Sequence, residues 1–238
     1  MKLRGNLLWL LCLGLFTPVL PLSAQMNEGE HVADAAVPEN NAMAPIQEVA
    51  GLPRVLLIGD SISIAYTLPV RALLKGKANV IRIPVNGQSS NAPDRITAWL
   101  GTGKWDVIHV NFGIWDAKIR GGKPTTDLAT YEKNLHAVVA LLKASGAKVI
   151  WATTTPIPPV VKPDTRKFAP LPPYNEVALK VMKEEGVAVD DLYNVILPDE
   201  AKYQHPFDVH YTAEGSQILA ESVAKSIEAQ LPPAKAGP

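Results

Sequence analysis

Cysteine is nearly missing from this sequence: the one copy in 238 residues is Cys12, which lies in an apolar stretch near the N-terminus. The rest of the chain therefore cannot form an internal disulfide or use a cysteine nucleophile. Metal sites that depend on thiolate ligands are excluded for the same reason. The stability of this part of the chain must come from a packed core.

An excess of charge of one sign is also absent, since 23 basic residues balance 23 acidic ones. This balance argues against a nucleic acid, or an anionic membrane surface, as a partner held by general electrostatic attraction. Histidine is scarce as well, with five copies in the chain. His205 and His210 are close enough in sequence to suggest a metal site, but no third ligand accompanies them, so we expect none.

A hydrophobic run that could span a bilayer is not found either. The apolar stretch Leu7–Leu20 is shorter than the roughly 20 residues that a membrane-spanning helix needs. Lys2 and Arg4 precede it and small residues follow it, which is the order typical of a secretory signal. We predict that residues 1–24 are a signal peptide and that the mature protein is exported, to the periplasm or the extracellular space, without an integral membrane span. Bulky Leu22 near the cleavage point leaves an uncleaved N-terminal anchor as the alternative.

Small and polar residues dominate positions 25–51, where no apolar periodicity is present. Such a composition predicts a flexible linker. Regular patterns begin after it and no internal repeat is found, so we predict one domain over residues 52–238.

Short apolar runs rich in β-branched residues alternate with helical patterns over this domain. The runs predict strands buried on both faces, as in a parallel sheet, over Arg54–Ile58, Asn79–Ile83, Asp106–Phe112, Lys148–Thr153 and Val187–Val189. Helices are predicted over Leu68–Leu74, Arg95–Leu100, Asp127–Ala144, Asn175–Glu185 and Ala213–Gln230. This alternation predicts an α/β fold, a three-layer α/β/α sandwich around a mainly parallel five-stranded sheet.

The active site of such a fold lies at the carboxyl ends of the strands. The first predicted strand is followed there by Gly59, Asp60 and Ser61. The glycine permits a tight turn into a helix, whose N-terminal N–H groups favour negative charge developing beside Ser61. These residues alone leave three interpretations open: a catalytic serine, an N-capping serine and a phosphate site.

Two other segments bring polar side chains to the same region. Asn111 ends an otherwise apolar strand, which costs stability unless its amide is hydrogen-bonded or functional. Far downstream, Asp208 and His210 precede the last predicted helix. Their types and spacing suit a general base and the carboxylate that orients it, and a solvated loop is the alternative.

Together these segments resemble the SGNH hydrolases, also called the GDSL lipase/esterase family, from Arg54 to about Gln230. Gly59-Asp60-Ser61 is similar to the first sequence block of that family, and the stretch Trp105–Gly113 resembles one subgroup of secreted bacterial members. The resemblance implies a flavodoxin-like sandwich and an esterase that needs no metal or organic cofactor.

The resemblance also implies roles for individual residues. Ser61 is the implied nucleophile, His210 the base and Asp208 the acid that orients it. The backbone N–H groups of Ser61 and Gly87 are the implied oxyanion donors.

Two blocks depart from the family pattern. Trp115 occupies the place of the asparagine that completes the oxyanion hole, so we expect Asn111 to supply the amide instead, with the Trp115 indole as the alternative donor. The family acid lies three residues before the histidine, where this chain has Phe207. We expect Asp208, two residues before His210, to replace it, and a Ser–His dyad is the alternative.

The sequence therefore predicts a secreted serine esterase that hydrolyses short acyl groups, acetyl above all, from small-molecule or carbohydrate esters. A proline-rich stretch, Thr155–Pro173, follows the fourth strand and is expected to form a semi-rigid wall over the site. An acyltransferase acting on carbohydrate and a non-catalytic carbohydrate-binding module remain the alternatives. His109, within an apolar strand, is expected to be a hydrogen-bonded core residue. The oligomeric state is not predicted.

Overall fold

The computed structural model describes residues 42–163 and 166–233. The predicted signal peptide and residues 25–41 of the predicted linker lie outside the described residues. Among the residues that are described, no helix has the length and apolar character needed to cross a membrane.

A five-stranded parallel sheet forms the centre of the domain, as the sequence predicts. Its strands are β1 Arg54–Ile58, β2 Asn79–Arg82, β3 Val107–Val110, β6 Lys148–Ala152 and β7 Ala188–Asp190, in the spatial order β2-β1-β3-β6-β7. Two short strands, β4 Ile119–Arg120 and β5 Lys123–Pro124, form a separate antiparallel pair. The central strand β3 is buried at every position, which explains why its residues are apolar apart from His109.

Helices cover both faces of this sheet. They are α1 Ser61–Leu73, α2 Ala92–Leu100, α3 Ile114–Ala117, α4 Leu128–Ala144, α5 Pro172–Glu185, α6 Leu192–Ile196, α7 Glu200–Tyr203 and α8 Ala213–Glu228. Helix α1 packs against α8, whereas α2 and α5 both pack against α4. The predicted α/β/α sandwich is therefore confirmed.

Three helices begin earlier than the sequence predicts, and proline is involved each time. Helix α1 starts at Ser61 instead of Leu68 and continues through Pro69, while α2 and α5 each have a proline in the first turn. A proline there has no intrahelical hydrogen bond to lose. Inside α1, burial of one face against the core outweighs the missing hydrogen bond at Pro69.

The end of the predicted linker makes specific contacts with the domain. The Asn79 side chain accepts a hydrogen bond from the Val49 N–H at 2.8 Å and donates one to the Val49 carbonyl at 2.9 Å. Glu48 forms a salt bridge with Arg54 at 2.6 Å. These contacts hold Glu48 and Val49 against the domain just before β1.

Candidate active site

Ser61 is the first residue of α1, immediately beyond the carboxyl end of β1. The preceding Asp60 caps the helix, because its carboxylate accepts a hydrogen bond from the Ile62 N–H at 3.0 Å. The Ser61 N–H is one of the first amides of the helix and has no intrahelical acceptor. The turn thus places a hydroxyl and an N–H donor of the same residue at the edge of the sheet.

His210 lies beside this serine. The Ser61 Oγ is 2.8 Å from His210 Nε2, and His210 Nδ1 is 3.0 Å from Asp208 Oδ1. All three side chains are partly buried, so the hydrogen bonds between them are shielded from bulk water. One imidazole nitrogen thus faces the hydroxyl and the other faces the carboxylate, which suits transfer of the hydroxyl proton to the ring.

A tight loop before α8 brings Asp208 and His210 together despite their short spacing. The His205 N–H donates to the His210 carbonyl at 2.9 Å, and the Asp208 N–H donates to the His205 carbonyl at 3.1 Å. Phe207 adopts a left-handed backbone with φ of 62°, which turns the chain sharply before Asp208. This turn is how a carboxylate two residues before the histidine reaches its ring.

The other two residues predicted to bind the oxyanion have partners inside the fold. The Gly87 N–H donates to the Gly59 carbonyl at 3.0 Å. The Asn111 amide donates to the Ala152 carbonyl at 2.8 Å and to Thr154 Oγ1 at 3.4 Å, so it joins the ends of β3 and β6. In this arrangement neither group is presented as an oxyanion donor, because the donors already satisfy buried acceptors.

Trp115, which occupies the place of the family asparagine, lies in the short helix α3. Its ring faces the Lys118 ammonium, which is 4.9 Å from the ring centroid. Gly113 caps the start of this helix, and a Cβ there would lie 2.1 Å from Thr154 Oγ1. Of the three predicted donors, the Ser61 N–H alone sits at a helix N-terminus.

The family model for GDSL-like lipases and acylhydrolases matches residues 57–218 of this chain. The chain belongs to this family. Its membership makes the protein an ester hydrolase, and the serine that opens α1 lies within the matched residues. A search of curated proteins found no significant match.

Solved structures of related hydrolases share the fold of this GDSL-like protein. A lipase/acylhydrolase from Enterococcus faecalis is 20% identical over 78% of this chain and 100% of its own, with a TM-score of 0.65. An acetylxylan esterase from Geobacillus stearothermophilus is 19% identical over 74% of this chain and 94% of its own, with a TM-score of 0.61. The acetyl xylan esterase AlAXEase is 19% identical, with a TM-score of 0.63, over 73% of this chain and 99% of its own. At such identities the similarity supports the fold.

Sequence reasoning missed one residue of this GDSL-like site, Arg82. The side chain lies at the end of β2, is 3% exposed and donates hydrogen bonds to the turn that holds Ser61. Burial lowers the pKa of its guanidinium to about 10, so it remains charged at neutral pH. The signal that could have revealed it is a lone basic residue inside an otherwise apolar strand pattern.

Two buried carboxyls flank the site. Burial raises the pKa of Asp60 above its ordinary value of 3.8, although the Ile62 N–H and nearby Arg82 oppose this shift. Burial also raises the pKa of Asp116, partly offset by hydrogen bonds that include one from Ser89. The Ser89 hydroxyl donates to Asp116 Oδ1 at 2.5 Å, which ties the loop containing Gly87 to α3.

His109 is a core residue, as predicted. Its side chain is fully buried, and its Nε2 lies 3.0 Å from Asp190 Oδ2. Burial acts to raise the pKa of Asp190, but hydrogen bonds from His109, Ser222 and Ser226 outweigh it and lower the pKa below 3.8. This pair joins β3 to β7, and a hydrogen bond from Ser222 links Asp190 to α8.

The proline-rich stretch borders the loop that contains His210. The Lys162 N–H donates to the Phe207 carbonyl at 2.8 Å, and Arg166 Nη1 lies 3.5 Å from Asp208 Oδ1. The stretch lines a cleft of about 440 Å³ with side chains that include Ile157, Pro158, Val160, Arg166 and Phe168. Because Arg166 both lines this cleft and lies beside Asp208, the cleft adjoins the loop that contains His210.

Proposed function

We propose that this hydrolase is a serine esterase in which Ser61 is the nucleophile, His210 the general base and Asp208 the group that orients the imidazole. The 2.8 Å contact between Ser61 Oγ and His210 Nε2 is the observation that supports this proposal most directly. The 3.0 Å contact between His210 Nδ1 and Asp208 supports the third role. An N-capping role for the serine is less well supported, because Asp60 already caps α1.

The reaction proceeds in two steps under this proposal. Ser61 Oγ attacks the ester carbonyl while its proton passes to His210 Nε2. The tetrahedral intermediate then collapses, the bond to the alkoxy oxygen breaks, and the leaving alcohol takes the proton from His210. Water then attacks the carbonyl of the acyl-serine and gives a proton to His210 Nε2. The bond between the acyl carbon and Ser61 Oγ breaks, His210 returns that proton to Oγ, and the carboxylic acid leaves. No oxidant, metal or cofactor is required for this balance.

The Ser61 N–H is the first oxyanion donor in this proposal because it belongs to the start of a helix. Gly87 and Asn111 contribute only if their N–H groups leave the Gly59 and Ala152 carbonyls during the reaction. Each such exchange gives up a hydrogen bond worth about 1 kcal/mol. A good oxyanion donor stabilises the transition state by roughly 3 kcal/mol, which exceeds the free energy lost with the original hydrogen bond.

Short acyl esters of carbohydrates are the proposed substrates. Two of the structurally similar proteins are named acetylxylan esterases, which supports the acetyl group and the sugar by analogy. The order of charged, apolar and small residues over positions 1–24 supports export, where such polymers occur. The near-zero net charge fits a neutral substrate better than an anionic lipid surface.

A fluorophosphonate probe tests the nucleophile. Wild-type protein is expected to be labelled stoichiometrically and to cleave small aryl acetates, whereas Ser61→Ala is expected to do neither. Ser90→Ala, which changes an exposed serine in the loop after β2, is the matched control and should behave as wild type. Wild-type protein that resists the probe and leaves aryl acetates intact would favour the binding module.

Product analysis separates hydrolysis from acyl transfer. The protein is incubated with an aryl acetate and excess xylo-oligosaccharide, and acetate is compared with acetylated sugar. Acetate as the main product is expected. Acetylated sugar as the main product would replace the hydrolase proposal with the acyltransferase.

A further inference from the structure

Arg82 binds two segments of the site at once. Its guanidinium donates to the turn before and within α1, at the Gly59 carbonyl (3.2 Å), the Asp60 carbonyl (2.8 Å) and Ser63 Oγ (3.0 Å). It also donates to the segment after β2, at the Ile83 carbonyl (2.7 Å), the Val85 carbonyl (3.2 Å) and Asn86 Oδ1 (3.2 Å). The first segment contains the nucleophile, and the second leads directly to Gly87.

These hydrogen bonds end on carbonyl, hydroxyl and amide oxygens, not on a carboxylate. Burying a guanidinium without a hydrogen-bonded carboxylate is costly, and a purely structural role would be filled more cheaply by an apolar side chain. The planar fork of arginine suits this place because it presents several fixed donors that a lysine cannot reproduce. The arrangement therefore points to a function for the charge and the fork.

The Asp60 carbonyl is the key acceptor. It belongs to the same peptide unit as the Ser61 N–H, and the two groups of a trans peptide point in opposite directions. Holding the Asp60 carbonyl at 2.8 Å thus aims the Ser61 N–H away from Arg82, toward the open edge of the sheet. A cation at the carbonyl end also polarises the peptide, which strengthens the N–H as a donor.

Ser63 also donates a hydrogen bond to the Asp60 carbonyl. Its hydroxyl accepts from Arg82 Nε at 3.0 Å and donates to the Asp60 carbonyl at 2.7 Å. Arg82 therefore acts on this carbonyl both directly and through a hydroxyl. Ser63 is 1% exposed, so water does not compete for these hydrogen bonds.

We propose that Arg82 is a positioning residue that aims and polarises the peptide unit between Asp60 and Ser61, so that the Ser61 N–H acts as the principal oxyanion donor. The inference rests on the proposed role of Ser61 as nucleophile. It adds a cationic support that acts through the backbone and does not touch the substrate.

Arg82→Lys tests this role because it keeps the charge and removes the fork. With rates normalised to titrated active sites, we expect kcat for an aryl acetate to fall on the order of a hundredfold with KM changed less than twofold. Arg71→Lys is the matched control, since Arg71 is a partly buried arginine near the far end of α1 that donates to the Val80 and Ala42 carbonyls. Its kcat should stay within twofold of wild type.

A thionoester substrate separates a role of Arg82 in positioning the oxyanion donor from a purely structural role, because a structural role would not change the preference for the ester over the thionoester. Sulfur accepts hydrogen bonds weakly, so a well-aimed donor favours the ester over the matching thionoester. We expect this preference to fall in Arg82→Lys and to stay unchanged in Arg71→Lys. An Arg82→Lys protein with normal kcat per active site and an unchanged preference would overturn the proposal, even if its melting temperature were lower.

Ser63→Ala decides the question if Arg82→Lys does not fold. Removing the hydroxyl takes one donor from the Asp60 carbonyl, and we expect a kcat loss of about tenfold with a reduced ester preference. A folded Ser63→Ala protein with wild-type kinetics would count against the role of Arg82. Wild-type protein that cleaves no ester overturns both proposals, whereas Ser61-dependent activity that is insensitive to these variants overturns only this one.

Discussion

The Ser61 hydroxyl lies 2.8 Å from His210 Nε2, although 149 positions separate the two residues along the chain. Ser61 opens α1 and His210 lies three residues before α8 begins, and these two helices pack against each other on the same face of the sheet. The contact between the side chains is thus a consequence of helix packing. A change that loosens this packing is expected to reduce activity before it unfolds the protein.

Replacing Asp208 with asparagine should lower kcat by about a hundredfold or more, with little change in KM. The amide can still lie beside His210 Nδ1, but it no longer stabilises the charged imidazole. Steady-state kinetics with an aryl acetate measure the effect. Asp199→Asn, at an exposed position after α6, should leave kcat unchanged. Activity of Asp208→Asn within a few-fold of wild type would favour the Ser–His dyad.

Replacing Arg166 with glutamine should reduce kcat/KM less than tenfold. Its guanidinium lies 3.5 Å from Asp208 Oδ1, and both side chains are partly exposed, so the pair contributes about 1 kcal/mol or less. The difference between wild type and variant should shrink as salt is added. Arg120→Gln, which changes an exposed arginine in β4, is the control. A loss of a hundredfold or more would show that Arg166 contributes to catalysis beyond this weak ion pair.

Replacing Asp190 with asparagine should lower the free energy of unfolding by about 1.5–3 kcal/mol, because it weakens the buried hydrogen bonds that the carboxylate accepts from His109 and Ser222. Urea unfolding followed by circular dichroism measures the change. His136→Gln removes a partly exposed contact with Glu185 and should cost less than about 1 kcal/mol. The kcat of folded Asp190→Asn should match wild type, and a selective loss of kcat would mean that the pair also supports the site.

Asp190 and Asp116 should make opposite contributions to stability as pH changes. The folded-state pKa of Asp190 lies below 3.8, so its contribution is present above that pH and is lost as pH falls through the folded value. The folded-state pKa of Asp116 lies above 3.8, so its contribution is present below 3.8 and is lost as pH rises through the folded value.

Urea unfolding between pH 4 and 7 tests the second sign. In wild type, the Asp116 contribution to the free energy of unfolding should decrease as pH rises. In Asp116→Asn this decrease should be absent. Asp94→Asn, an exposed carboxylate in the first turn of α2, should leave the profile unchanged. Identical profiles for wild type and Asp116→Asn would contradict the raised pKa.

Two glycines with positive φ should respond differently to alanine. At Gly113, φ is 153° and a Cβ would lie 2.1 Å from Thr154 Oγ1. Because backbone strain and steric overlap both oppose alanine there, we expect Gly113→Ala to lower the free energy of unfolding by more than about 3 kcal/mol. At Gly146, φ is 81° and the Cβ would meet no atom within 4 Å, so we expect only about 1–2 kcal/mol. Thermal and urea unfolding compare the two variants. Equal losses would mean that the backbone at Gly113 shifts to relieve the overlap.

Much of the fold follows from local patterns. The five predicted strands agree with the structure to within a few residues, because each is mostly apolar and is flanked by turn residues. Helix starts were less predictable: α1 continues through Pro69, which local rules treat as a breaker, because its buried face packs against α8. Propensity is local, whereas the burial that outweighs it depends on the whole fold.

The candidate site also contains residues that the sequence could predict and contacts that it could not. Ser61, Asp208 and His210 could be proposed from their places after predicted strands and before the last helix, together with the family resemblance. The role of Arg82 could not be predicted, because its partners Gly59, Asp60 and Ser63 come from a neighbouring strand and turn. The hydrogen bond from Asn111 to the Ala152 carbonyl could not be predicted either, because it depends on the register of β3 and β6.

The sequence by itself determined the alternation of strands and helices and the family, and it supplied the candidate serine, carboxylate and imidazole. These features depend on the types of side chain and on their spacing, and both can be read from the sequence. Only the tertiary structure decided which donors are free to meet a substrate and which are already bound within the fold. A hydrogen bond is decided by distance and direction between segments far apart in sequence, and packing alone sets both.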